Sequence, residues 1–174
     1  MSLKYKDSEG LINSYFLDKK WEKARIVLVK ELEHNPNNTW LLTRLGTTYY
    51  EQKDYEKALK VTKKALKLNP NDPLVLWDFA TILDMLGNGS RAIKFWKKII
   101  DFGEKRVGMI ETGEGLEWAR SLICDCYYRI GLTSSDLNNK EEAFENLQIY
   151  LDMREKGIES IYTITEAKKK IQAL

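Results

Sequence analysis

A chain of 174 residues with 43% hydrophobic and 31% charged side chains can bury the core of one domain, which excludes wholesale disorder. Its 28 basic and 26 acidic residues are interspersed to a net charge of +2, so the concentrated basic face that displaces counterions from nucleic acid is missing. No apolar stretch approaches the roughly 20 residues that cross a bilayer, and no charged-then-apolar leader opens the chain; the expectation is a cytoplasmic protein with neither nucleic acid nor membrane as partner.

In chain order, the first organised stretch runs from about residue 5 to 38 and carries Leu11, Tyr15 and Ala24 on an apolar pattern, ending at His34-Asn35-Pro36. The second, about 39–72, repeats it 34 residues later with Leu45, Tyr49 and Ala58 and ends at Asn69-Pro70. The third, about 73–102, opens on Asp72-Pro73, an N-cap followed by proline at the first helical position, and keeps the register with Phe79, Leu83, Ala92 and Trp96. Asp101 to Gly115 holds glycines at 103, 108, 113 and 115 and reads as a loop or a distorted helix end. A helical pattern resumes at Leu116 and stops at Gly131, and Leu132–Lys140 then reads as an insertion inside a fourth, divergent hairpin of about 115–154. Asn139 and Glu142 have capping-box spacing at its second helix. Thr163 and Glu166 repeat that spacing at a last helix of about 163–173, whose stripe of Ile164, Ala167 and Ile171 suits a cap over the end of a helical stack.

Leu42, Leu45-Gly46, Tyr49, Ala58 and Pro70 fall at the spacing W-x2-L-G-x2-Y…A-x3-F…P, and the second unit therefore resembles the tetratricopeptide repeat. The resemblance implies one all-α domain over residues 1–174, a right-handed superhelical solenoid of antiparallel helix hairpins with a C-terminal capping helix. It also implies a concave groove lined by the first helix of each hairpin, binding a protein or peptide. At the groove positions the second unit offers Trp40, Thr43, Arg44, Thr47, Tyr50 and Glu51, and the third Leu74, Trp77, Asp78, Thr81, Asp84 and Met85. In some family members a two-carboxylate clamp of Lys, Asn and Arg grips acidic tails; the matching residues are Glu9, Asn13, Arg44, Leu74 and Asp78, of which Asn13 alone agrees. Around Gly113-Glu114-Gly115 and Ser160-Ile161-Tyr162 the chain also looks like a group of bacterial repeat proteins.

Glu114, Trp118, Ser121, Asp125 and Arg129 recur every three or four residues as a polar stripe in the fourth hairpin. It is either a ligand-facing surface with Asp125 and Arg129 orienting each other, or the solvent side of an amphipathic helix. Conventional catalytic and metal-binding patterns are not found. The single histidine, His34, sits where a helix C-terminus favours it, and Cys124 and Cys126 point about 200° apart on a helix, as buried apolar thiols would. Gly103 and Gly108 begin a phosphate-loop spacing, but Met109 and Ile110 replace its Lys and Ser/Thr. The reading is thus an interaction scaffold with no cofactor, metal or catalytic role. Its alternatives are a self-assembling module, with an exposed solenoid face or the Asp101–Gly115 segment as the contact, and a small-molecule or enzymatic site around Trp118, Asp125 and Arg129.

Overall fold

The computed structural model describes residues 3–110 and 113–174, and among these every regular element is a helix. They are α1 (Leu3–Leu17), α2 (Trp21–His34), α3 (Thr39–Glu51), α4 (Tyr55–Leu68), α5 (Pro73–Met85), α6 (Gly89–Met109), α7 (Leu116–Asp136), α8 (Lys140–Glu155) and α9 (Ile164–Gln172). The chain divides into two compact units, Met1–Asn71 with α1–α4 and Asp72–Leu174 with α5–α9.

In the first unit α1 pairs with α2 and α3 with α4, and α2 also packs on α3. Ile12, Leu28 and Leu41 are fully buried there with Ala24, flanked by Tyr15, Val27 and Tyr49. Each such aliphatic side chain contributes about 1.5–3 kcal/mol by leaving water. The helices start where polar side chains accept the orphan amides of the first turn: Asn38 takes the Leu41 N–H at 3.1 Å and Asp54 the Lys57 N–H at 3.3 Å. In the second unit Asp72 caps α5 through the Leu74 and Val75 amides, with Pro73 at the first helical position as its sequence suggests.

The turn inside each hairpin repeats one backbone device, a left-handed residue at Lys19, Lys53, Gly87 and Asn138. The first three are 34 residues apart, whereas Asn138 follows Gly87 by 51. Seventeen extra residues thus lie between the third and fourth turns, shared among α6, the α6–α7 link and the start of α7, and one sequence expectation is corrected. The helix α7 does not stop at Gly131 but continues to Asp136, and the link to α8 is the short turn Leu137–Asn139, so no insertion separates the two helices of the fourth hairpin. Of the two readings of Asp101–Gly115, the distorted helix end fits: α6 runs on to Met109 across a break at Gly103 (φ 71°), and Ile110–Gly115 links it to α7. The Asp101–Gly115 expectation also covers Glu111 and Thr112, which lie outside the described residues.

Gly131 is a crossing point rather than a stop. A Cβ there would meet Leu147 Cγ at 2.6 Å and the Ala143 carbonyl oxygen at 3.2 Å, just as one at Gly46 would meet Thr62 Oγ1 at 2.7 Å. Glycine at 46 and 131 and alanine twelve residues later, at 58 and 143, let the two helices of a hairpin touch. Beyond α8, Thr163 and Glu166 form the expected capping box and α9 lays Ala167, Ile164 and Ile171 against Leu147, Tyr150 and Leu151, as a terminal cap should. At α8 the cap is one-sided: Asn139 accepts the Glu142 N–H at 3.4 Å, while its own side-chain amide donates to Glu142 Oε2 at 3.0 Å.

Replacing Gly131 with alanine is expected to destabilise the chain by about 1–3 kcal/mol through overpacking against Leu147. Gly10→Ala, in a helix with nothing within 4 Å of the new methyl, is expected to be neutral or stabilising by up to about 1 kcal/mol. Urea unfolding monitored by circular dichroism measures both; equal midpoints for the two variants would show that no close crossing exists at Gly131.

Candidate functional site

On α3, spacings of four, three and three place Trp40, Arg44, Thr47 and Tyr50 along one helical face, and all four are half-buried. The Arg44 guanidinium lies 5.0 Å from the Phe16 ring centre and 5.5 Å from that of Trp40, a stacking that holds the charge in place. Thr47 Oγ1 donates to the Thr43 carbonyl at 3.1 Å, and the Tyr50 ring rests against Tyr55 at 5.6 Å.

In the second unit α5 carries Trp77, Asp78 and Thr81, each half-buried. Trp77 packs on the fully buried Trp96 at 6.3 Å. Thr81 Oγ1 and Trp96 Nε1 are both enclosed without a hydrogen-bond partner. One turn along α5, Asp84 accepts from Arg129 Nη2 at 2.6 Å and from Thr133 Oγ1 at 3.1 Å, and the same guanidinium lies 5.1 Å over Trp96. The reading in which Asp125 and Arg129 orient each other, one of the two open for the stripe, is therefore corrected: Arg129 is held by Asp84, which lies outside the stripe.

The stripe on α7 is not a uniformly solvated face either. Exposure falls along it, from Glu114 in the open, through half-buried Trp118 and Ser121, to Asp125 with 6% of its surface exposed. Trp118, Ser121 and Asp125 line a cleft of about 740 Å³, closed on its other side by the connector between α8 and α9, with Lys156, Glu159 and Ser160. Close backbone packing sets the start of α7: a Cβ at Gly108 would meet the Gly115 carbonyl oxygen at 2.7 Å, and one at Gly113 the Gly108 oxygen at 2.7 Å. These contacts are possible only for glycine.

The connector is tied down at several points. Ser160 Oγ donates to Asp125 Oδ1 at 2.5 Å, and the Ile161 N–H also bonds that carboxylate. Tyr150 donates its hydroxyl to the Tyr162 carbonyl at 2.7 Å, Tyr162 stacks on Tyr128 at 4.1 Å, and Arg154 Nη1 donates to the Ile158 carbonyl at 2.6 Å. None of these connector partners follows from a sequence motif, because the link has no period of its own and its ties to Asp125 and Tyr128 reach back to a distant helix.

Burial pushes the Asp125 carboxyl up to about 6, opposed only in part by the Ser160 and Ile161 hydrogen bonds and by the nearby Arg154 charge. Burial likewise pushes the Cys124 thiol up to about 12 and that of Cys126 well above the usual thiol range, so both are unreactive apolar side chains, in keeping with their sequence context. His34 Nδ1 donates to the Lys30 carbonyl oxygen at 3.1 Å, at the end of its helix. No cluster of three or more His, Cys, Asp or Glu side chains suited to a metal ion occurs among the described residues, and no helix of theirs is long and apolar enough to cross a membrane.

The Asp125 carboxyl has a measurable consequence. Its folded pKa lies above the unfolded value, so its proton is held more tightly in the fold; the stability this gives is complete below about pH 4 and lost as pH rises through about 6. Asp125→Asn keeps an acceptor for Ser160 without the charge. Its stability relative to the parent chain is expected to grow between pH 4 and 7 by on the order of 2–3 kcal/mol, read from thermal melts across that range. A difference that does not vary with pH would contradict the burial of a charged carboxylate.

Among curated proteins none matches the sequence significantly. The tetratricopeptide repeat, as a sequence family, matches residues 40–72, which hold α3 and α4, and again residues 125–156, which hold most of α7 and α8. Solved structures of MamA share the fold. "MamA 41-end from Desulfovibrio magneticus RS-1" superposes with a TM-score of 0.71 at 20% identity, over 88% of this chain and 77% of that one. A "Crystal structure of MamA protein" does so at 0.67 and 17%, over 96% of this chain and 87% of that one. At such identities the likeness speaks for architecture, that of a helical repeat solenoid. The two matched stretches are those in which Gly46 and Gly131 form the hairpin crossings, so that each of these hairpins is a tetratricopeptide repeat.

Proposed function

We propose that the chain binds a peptide or helix of a partner protein on the groove faces of its first-in-hairpin helices, with Trp40, Arg44, Thr47 and Tyr50 on α3 as one set of contacts and Trp77, Asp78 and Thr81 on α5 as another. The observation that carries the reading is the half-burial of aromatic and charged side chains at the groove positions. A face with only solvation to serve would not keep Trp40, Tyr50 and Trp77 there, and a face serving only the core would bury them.

The chemistry fits recognition. Trp and Tyr offer large contact area at small rotamer cost, and Arg44, already stacked between Trp40 and Phe16, presents its charge with little ordering left to do. The Asp84–Arg129 pair behaves differently. Because Arg129 is mostly buried and its charge is met by Asp84, it supports the shape of the α5–α7 face more than it offers a free cation. Asp78, in place of a clamp residue that would be basic, turns this face away from acidic tails, and the preferred partner segment is apolar or of mixed charge.

Simultaneous Trp77→Ala and Tyr50→Ala is expected to remove contacts worth about 2 kcal/mol each, a loss in affinity of roughly 10³-fold if they act independently. Affinity capture with the native and doubly substituted chains, each checked for a cooperative thermal melt, reads the effect. Undiminished capture of every partner by the folded double variant would refute the groove reading.

A further inference from the structure

The two places where the chain departs from its 34-residue repeat meet in space. One is the added length ahead of the fourth hairpin, including the first turns of α7 with Glu117 and Trp118; the other is the connector from α8 to α9, bent at Gly157 (φ 83°). Stacking hairpins requires neither, yet together they enclose the cleft above Asp125. We infer that this cleft is a second recognition site, which takes the guanidinium or ammonium head of an arginine- or lysine-bearing peptide onto the Trp118 ring, between the Glu117 and Glu159 carboxylates and above that of Asp125.

The charge of the walls selects the class of ligand. Glu114, Glu117, Asp125 and Glu159 face two bases, Arg120 and Lys156. Arg120 is engaged by Glu104 at 2.8 Å, which leaves Lys156 as the cation opposing the four acids. Trp118 is half-buried in the wall, and among the described residues no cation of the chain lies over its ring, although Tyr49, Phe102 and Trp96 all carry one. An aromatic face beside carboxylates attracts an organic cation through the ring quadrupole.

Asp125 gives the site its fixed point. Its carboxylate is buried and oriented by two neutral donors, the Ser160 hydroxyl and the Ile161 amide. The neighbouring Arg154 spends its guanidinium on the Ile158 carbonyl instead of forming an ion pair with it. A buried anion with two hydrogen bonds, and with Arg154 near but not paired to it, is under-compensated, and its raised pKa reflects that; a cation brought into the cleft supplies the missing charge. The volume of about 740 Å³ accommodates one long side chain with its flanking backbone.

The inference is independent of the groove reading, and its test keeps the two apart. The full chain is titrated with the capped pentapeptide Ala-Ala-Arg-Ala-Ala, its citrulline and glutamate counterparts, and free arginine amide, by calorimetry and by the indole N–H resonance of Trp118. The arginine peptide is expected to bind and shift that resonance, with the citrulline peptide at least tenfold weaker. Combined Glu117→Gln and Glu159→Gln, at exposed positions, is expected to weaken binding at least fivefold with an unchanged thermal melt. Lys156→Ala is expected to strengthen it about twofold, and the Trp77/Tyr50 double variant to bind as the parent does. Equal binding of the citrulline peptide, preference for the glutamate peptide, full binding by the Gln variant, or no Trp118 shift at millimolar peptide would each overturn the proposal. Arginine amide binding as tightly as the peptide would overturn its peptide part and leave a site for a small amine.

Discussion

Two helices of a hairpin can share a core only if their backbones approach closely somewhere, and that approach needs residues without bulk at the crossing. Gly46 facing Thr62 and Ala58, and Gly131 facing Leu147 and Ala143, meet this requirement in two separate hairpins. The rest of each hairpin follows from it. Once the crossing is fixed, Leu45 and Thr48 or Ile130 and Thr133 are buried beside it. Arg44 and Arg129 share a register, two residues ahead of their glycines, and both guanidinium groups lie over a tryptophan.

The regular repeat supplies a rigid base, and the departures from it supply the irregular cavity. Where the period holds, the exposed faces of the helices are set by helical geometry and differ only in side chains. Where it fails, before α7 and after α8, close glycine packing at Gly108 and Gly113 and the ties at Tyr150, Arg154 and Asp125 replace the repeat as the ordering force. Sites placed on such firmly tied segments keep their geometry while leaving the hairpins undisturbed.

Much of this was legible in the residues because its causes are local. The three 34-residue units, the Asp72 cap, the α9 capping box and the buried thiols all rest on contacts within a few residues or on simple periodicity. Gly131 was misread because glycine has two uses, ending a helix or permitting a close crossing, and the sequence of one helix does not distinguish them. The choice lies with Ala143 and Leu147 on the facing helix, twelve and sixteen residues on. In the same way Trp118 and Asp125 were visible as members of a stripe, whereas Ser160, the Ile161 amide and the Asp84 partner of Arg129 are long-range and carry no pattern. The residues proposed as contacts on α3 and α5 came from the register of the repeat, and their half-burial is the feature a sequence could not supply.

The central claim is that α7 is a single helix passing through Gly131, with its hairpin crossing there and the added length ahead of it. Amide hydrogen exchange of the native chain tests it most directly. Continuous helix predicts that Leu132 to Asp136 exchange as slowly as the buried turns from Leu122 to Ile130, with fast exchange confined to the short turn at Leu137–Asn139. Rapid exchange beginning at Leu132 would place a loop where the crossing should be and contradict the account.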